Sequence, residues 1–414
     1  MMTSADRRSR KHFDFYLLIN MYVLIVIGVV MVAVATFDPD VSLDVPLLTR
    51  IMNSNTGSWQ AIFFVASIIV VWVVTTFPYE YLSAYSVPFF MVTSVMLLFV
   101  LSTKDIRNVS GWFQLTLGRM LQPSEFAKLT LILLMAKMMS GDEKPLSSFK
   151  SFFKIFGVSA VPLGLTFLQG ETGSVVVMLG ILYIMLVFAG TDWRWLALLF
   201  GLAAAAVAAL FLYGLMSDTQ DYRLLRLLSF LNPQAYVKSA GYQILNSQQA
   251  IGSGGLTGIG MFIPGSLSQL NFVPEDWTDF IFATLGEAWG FVGCVVVILL
   301  FVSLLLRMLY LARFTQDKFG RLVIAGVMGM FFVHVFQNVA MTVGLMPITG
   351  IPLPFISYGG SNLMTSVAGV SLVLNVTNNR TTAMSSYLMP VYQNKQGKRG
   401  RRKKKRVYVN VTQR

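Results

Sequence analysis

YLLINMYVLIVIGVVMVAVAT, residues 16–36, decides the fold class. The run holds no charged side chain, and about 20 apolar residues suffice to cross about 30 Å of hydrocarbon. Ala33-Val34-Ala35 looks like the cleavage site of a secretory leader. The apolar stretch before it is too long for a leader core, so the segment reads as a retained span. Nine further apolar runs follow, at 61–77, 87–102, 126–139, 151–168, 173–189, 195–215, 280–306, 322–343 and 355–374. The expected fold is therefore an all-α polytopic membrane protein with about ten transmembrane helices.

Composition agrees with that expectation. Of 414 residues, 55% are hydrophobic and only 12% charged, about half the charge of a soluble domain. The net charge of +13 sits almost entirely at the ends. Residues 1–14 carry four basic and two acidic side chains, and 395–414 carry ten basic and none acidic. A near-neutral apolar body with basic ends points to a membrane, not to nucleic acid. The single Cys294 excludes an internal disulfide framework, and two histidines argue against a His-built zinc site.

An even number of spans puts both termini on one side. Lys and Arg concentrate in the segments that face inward when the N-terminus is inside, so the positive-inside rule places both ends in the cytoplasm. The chain then divides into a basic N-terminus (1–14), a membrane domain (15–378) and a basic tail (379–414). The tail reads as a topology signal at anionic headgroups or as a docking site for a cytoplasmic partner. One loop is long: residues 216–278, between the seventh and eighth spans on the outer face. Its tyrosines, its arginines and its ordered glycines mark it as folded and functional. No strong internal repeat supports a transporter architecture.

Ionisable residues within the membrane body are functional candidates, each costing about 2.5–3.5 kcal/mol at the bilayer centre unless satisfied. Asp279 stands where the long loop enters the eighth span, as a first-turn acid or as a reactive carboxylate at the outer mouth. Glu287, eight residues on, lies about 12 Å deeper along a helix and needs a partner or a proton. Gln122-Pro123-Ser124-Glu125 opens the fourth span, with Lys128 three residues beyond Glu125. Those two either pair along the helix, or Lys128 serves as counter-ion to Glu287 or Asp279. Gly252-Ser253-Gly254-Gly255, with Gly258 and Gly260, lacks a P-loop lysine. It either packs tightly or offers amides to a ligand's phosphate or sugar oxygens. Pro352, Pro354, Gly359 and Gly360 flank Ser357 and imply a re-entrant or broken helix start, which at membrane depth must be enclosed by protein or a wet cavity. Glu171, in Gln169-Gly170-Glu171-Thr172-Gly173, adds an acid at the same level. Any metal held by Asp279 would be of the Mg²⁺, Mn²⁺ or Ca²⁺ type, because soft ligands are absent.

Taken together, these segments resemble the SEDS family of membrane peptidoglycan polymerases, in order along nearly the whole membrane body. The carriers are Gln122-Pro123-Ser124-Glu125 with Lys128, the loop glycines 252–260, and Thr278-Asp279-Phe280 followed by Glu287. The last carrier is the series Asn338, Gly344, Pro347, Gly350-Ile351-Pro352-Leu353-Pro354 and Ser357-Tyr358-Gly359-Gly360. The Gly350–Pro354 form is more similar to the elongation-type RodA branch than to the division-type FtsW branch. Two positions depart from the family pattern. Gly111 precedes Trp112 where an Arg is usual, and Glu171 stands where an Asp is usual.

The resemblance implies an inverting glycosyltransferase that polymerises lipid II at the outer face of the bacterial cytoplasmic membrane during elongation. It implies Asp279 as the catalytic or metal-holding carboxylate, with Mg²⁺ or Mn²⁺ as candidate cofactor, and Glu125, Lys128 and Glu287 as a supporting polar network. Arg223 and Arg226 either clamp a diphosphate or anchor the loop. Ser253, Gly254, Gly255 and Ser357 are candidate substrate contacts. A class B penicillin-binding protein is the implied partner. A flippase or carrier of lipid-linked sugars is the leading alternative, and a non-catalytic scaffold the next.

Overall fold

The computed structural model describes residues 13–37, 45–77, 79–102, 111–114, 120–141, 146, 149–216, 222–237 and 240–378. The basic tail and most of the N-terminal segment lie outside these residues. The described chain is helical apart from one two-stranded antiparallel hairpin, in which Phe113 faces Leu121 and Gln114 faces Met120.

Each apolar run of the sequence becomes one long helix. These are α1 (Phe15–Ala35), α3 (Asn55–Thr76), α4 (Tyr79–Val100), α5 (Pro123–Ser140), α6 (Phe149–Leu168), α7 (Thr172–Ala189), α8 (Trp193–Met216), α11 (Ile281–Phe314), α12 (Lys318–Thr342) and α13 (Gly360–Asn378). Among the described residues, eight helices are long and apolar enough to cross a membrane; α5 and α13 are the two not among them. Their environment explains why. From Pro123 to Ala136 only Phe126 of α5 escapes full burial, and α13 is nearly as enclosed. A helix wrapped by neighbours rather than lipid tolerates Glu125, Lys128, Thr365 and Asn375, so its hydropathy falls.

At the opposite extreme, α8 exposes almost every side chain, including Phe200, Leu202 and Leu212, as expected of a helix surrounded by acyl chains. At the far end of α1, Asp14 accepts from Leu17 N and pairs with Arg307 of α11 at 2.8 Å, which ties the first span to the eighth.

The long loop is folded, as expected. It forms α9 (Tyr222–Leu231), a 3-10 turn (Pro233–Tyr236) and α10 (Ala240–Ser253), then a turn-rich return to α11. The short helix α2 (Leu47–Asn53) lies in the first loop. Ser247 Oγ and Gln248 Nε2 of α10 donate to the carbonyls of Thr342 and Val343, capping the end of α12.

Several helix ends depart from the apolar runs, among them the start of α4 at Tyr79, and two of the departures bear on the site. The last helix starts at Gly360, five residues later than the apolar run suggested, because 350–359 is an irregular segment with Phe355 at φ 66°. The eighth span is longer than expected and is interrupted at Gly290, with φ 64° and ψ −164°.

The interruption accounts for the loop glycines. Ile259 N and Gly260 N donate to the carbonyls of Glu287 and Ala288, while Phe291 N and Val292 N donate to those of Gly255 and Leu256. Freed carbonyls and amides around the break are thus satisfied by the loop. The approach is close enough that a Cβ on Gly254 would stand 2.0 Å from Gly286 O, and one on Gly290 2.3 Å from Gly258 N.

A residue with a side chain in the left-handed region costs about 1–2 kcal/mol before any clash. Gly290→Ala is therefore expected to lower the unfolding midpoint in detergent by several degrees. Gly157→Ala, which meets nothing within 4 Å on α6, should leave it unchanged or slightly raised. Equal midpoints for the two variants would contradict this account of the break.

Candidate active site

Four elements meet at the mouth of the bundle: the turn 275–280, the irregular segment 350–359, the end of α12 and helix α9. The turn is built on Glu275, whose φ is 61°. Its carbonyl accepts from Thr278 N and Phe280 N, both at 3.1 Å. The turn then docks on the irregular segment through its backbone. Tyr358 N donates to Trp277 O at 2.9 Å, and Ser357 Oγ donates to Thr278 O at 2.5 Å. Asn338 Nδ2, on α12, donates to both Asp279 O at 2.8 Å and Ile351 O at 2.7 Å. The Asp279 backbone is held from two sides while its side chain stays half-buried.

That side chain faces Gly350, at φ 68°. A Cβ on Gly350 would stand 3.4 Å from Asp279 Oδ2 and 3.7 Å from Arg226 Nη1 of α9. Carboxylate and guanidinium thus border the same small space. Arg223 lies on the same helix, with its side chain outside the described residues. Among the described residues no three His, Cys, Asp or Glu side chains converge into a metal site.

The expected supporting network divides in two. Lys128 Nζ pairs with Glu125 Oε1 at 2.7 Å and meets His334 Nε2 at 3.0 Å, all three buried. Thr365 Oγ1 approaches Glu125 Oε2 at 3.4 Å. His334 was not legible as a site residue, since one histidine in an apolar helix carries no spacing signal. Glu287 does not join this cluster, a correction to the sequence reading. Its carboxylate accepts from Leu267 N (2.7 Å), Ser268 N (3.0 Å) and Ser268 Oγ (2.6 Å). The depth that suggested a partner for Lys128 is satisfied instead by the loop folding back over the broken helix.

Four expected substrate contacts are likewise engaged otherwise. Ser357 is fully buried, accepts from Leu353 N at 2.7 Å and brackets the turn 275–280. Ser253 Oγ donates to Ala250 O within its own helix. Gly254 packs on α11 as described above, and Gly255 O accepts from Phe291 N.

The two departures from the family pattern meet each other. Ser124 Oγ donates to Glu171 Oε2, and a Cβ on Gly111 would fall 1.9 Å from Glu171 Oε1. The longer acid therefore occupies the room that a side chain at 111 would need. Burial is the main cause that raises the Glu171 carboxyl above the usual carboxylate range.

Residues 15–382 match the FtsW/RodA/SpoVE family of cell cycle proteins, and the chain belongs to that family. It is 38% identical over 279 residues to the peptidoglycan glycosyltransferase MrdB of Escherichia coli K12, covering 66% of this chain and 72% of MrdB. Relatives carrying the name FtsW match as well. A solved peptidoglycan synthase complex, described as coordinating polymerization and crosslinking, contains a chain that superposes with a TM-score of 0.71. The identity there is 26%, over 89% of this chain and 98% of that one. The rod shape determining protein RodA of Thermus thermophilus superposes with a TM-score of 0.62 at 25% identity, over 89% and 97% of the two chains.

Removing one partner of a buried ion pair costs about 3–5 kcal/mol, because the other charge is left uncompensated. Lys128→Met should therefore destabilise strongly in thermal unfolding, and the double variant Glu125→Gln/Lys128→Met should recover most of the loss. Additive losses would show that the two charges do not depend on each other.

Proposed function

We propose that this protein is a peptidoglycan glycosyltransferase of the RodA-like branch that polymerises lipid II, with Asp279 as its catalytic carboxylate. The observation that carries the reading is the placement of Asp279 beside Arg226 at Gly350, on a turn locked by α12 and the 350–359 segment. The names of the relatives supply the reaction class.

In such a transfer the acceptor sugar's 4-hydroxyl oxygen forms a bond to the donor's anomeric carbon while the bond from that carbon to the diphosphate breaks. Asp279 takes the hydroxyl proton, and Arg226 stabilises the negative charge that gathers on the departing diphosphate. One displacement inverts the anomeric centre, so an α-linked diphosphate yields a β-linked strand. Arginine suits the second role because its planar fork matches phosphate oxygens in pairs. A hard cation takes six or more oxygen ligands, and a single carboxylate does not supply them. Mg²⁺ or Mn²⁺ would thus arrive with the substrate's diphosphate.

Helix α9 sits well for this task. Its sequence, YRLLRLLSFL, has leucines on one side and arginines on the other, the pattern of a helix lying at a headgroup boundary. A substrate with wet sugars and a lipid tail would straddle that boundary. The charge distribution supports cytoplasmic termini and an outward-facing site in a bacterial cytoplasmic membrane. A class B penicillin-binding protein is the proposed partner, by analogy with the synthase complex whose chain this one resembles. A carrier of lipid-linked sugars finds less support. The interior charges Glu125 and Lys128 neutralise one another in a packed cluster instead of lining an opening.

General-base catalysis contributes about 10²–10⁴-fold. Purified with a transpeptidase partner and given lipid II, the parent should form long glycan strands. Asp279→Asn should form them at least about a hundredfold more slowly while keeping its unfolding midpoint. Equal rates from both would remove Asp279 from the reaction.

A further inference from the structure

Three residues before Asp279, the carboxyl of Asp276 is completely buried. Neither of its oxygens has a hydrogen-bond partner in the protein. Its own and Trp277's backbone N–H groups act on it weakly without forming hydrogen bonds. The charged groups that act on it are both acidic: Glu287 from α11 and Glu275 in its own turn. Its backbone, by contrast, is tied in: Thr284 Oγ1 donates to Asp276 O, and Ser268, whose Oγ lies 3.3 Å from Thr284 Oγ1, donates its hydroxyl to Glu287. The side chain is thus buried within the turn that presents Asp279, close enough to feel the carboxylate that pins the loop 267–268. Next to it, Glu275 holds an unfavourable positive φ. Buried polar groups without partners and left-handed backbone both cost stability and cluster where a site is held in a required shape.

We propose that Asp276 is a positioning residue for the glycosyl transfer: as an uncharged carboxylic acid it forms the floor of the turn 275–280, and loss of its proton displaces that turn and Asp279 with it. The inference rests on the polymerase reading for its functional half only. Ionisation would set a second negative charge near Glu287, on oxygens to which no hydrogen bond is formed. The Glu287 carboxylate already accepts three hydrogen bonds, which hold it in place. The turn is held by one hydrogen bond at each of the carbonyls of Asp276, Trp277, Thr278 and Asp279, and these are the bonds that ionisation would strain.

Burial, reinforced by Glu287, pushes the Asp276 carboxyl from its ordinary 3.8 up to about 8. The folded protein therefore keeps a proton that the unfolded chain releases, and stability falls as pH rises between these values, levelling off above about 8. Asp276→Asn keeps the shape and cannot ionise, so it lacks this loss. Its unfolding midpoint should exceed the parent's by a margin that is small near pH 4.5, grows toward pH 8 and then stays constant. Asp276→Leu provides a second uncharged variant should the Asn side chain fold poorly. In polymerisation of lipid II, the parent's rate should fall as pH rises through about 8, whereas the Asn variant's rate should hold through that range. A pH-independent difference in midpoint, coincident activity profiles, or a folded Asn variant inactive at every pH would each overturn the proposal. The stability comparison needs no activity, so strand formation by neither protein would count against the polymerase reading while the pH-dependent midpoints still decided the role of the Asp276 proton.

Discussion

Two stretches of irregular backbone, 275–280 and 350–359, lie against each other within a bundle of helices, and each supplies hydrogen bonds that the other lacks. Lipid offers nothing to an unpaired amide or carbonyl, so non-helical backbone at this depth has to be enclosed and satisfied by protein. Ser357, the Tyr358 amide and Asn338 meet that demand for the carbonyls of Thr278, Trp277 and Asp279. The same bonds fix the direction in which Asp279 leaves the turn. The site is thus a by-product of a satisfaction problem: solving it for the backbone also places a carboxylate beside an arginine at the bundle's mouth.

A second satisfaction problem, at the break in α11, organises the loop. Gly290 interrupts the helix, and the glycine-rich return 254–260 takes over the orphaned carbonyls and amides with four backbone hydrogen bonds. Glu287, on the short first piece of that helix, holds 267–268 from the other side. A loop anchored this way can carry α9 and its arginines without help from a ligand.

The helices were legible in the sequence because bilayer thickness dictates the length of an apolar run, and that requirement is read residue by residue. Asp279 stood out in the sequence because it combines a charged side chain with a span entrance, and the structure sets it beside Gly350 and Arg226. Other assignments depended on distances between segments far apart in sequence. Nothing in the spacing of Ser253, Gly254 and Gly255 tells whether a glycine approaches a ligand or the backbone of Gly286. Glu287 was assigned by depth along a helix, and depth does not reveal that residues 267 and 268 fold back onto it. His334 gave no signal until α12 was seen to face Lys128. Asp276 lay hidden beside a more obvious acid, although an acidic doublet at the entrance to a buried turn is itself unusual enough to prompt the question of where its charge goes.

The placement of Asp279 and Arg226 about Gly350 implies where the substrate's diphosphate rests. A lipid-linked saccharide bearing a photoreactive group beside its diphosphate, crosslinked to the protein in membranes and mapped by peptide, tests it directly. The prediction is labelling in α9 around Arg226 and in the turn 275–280. Labelling confined to the interior around Lys128 and His334 would contradict the account and indicate a path through the bundle.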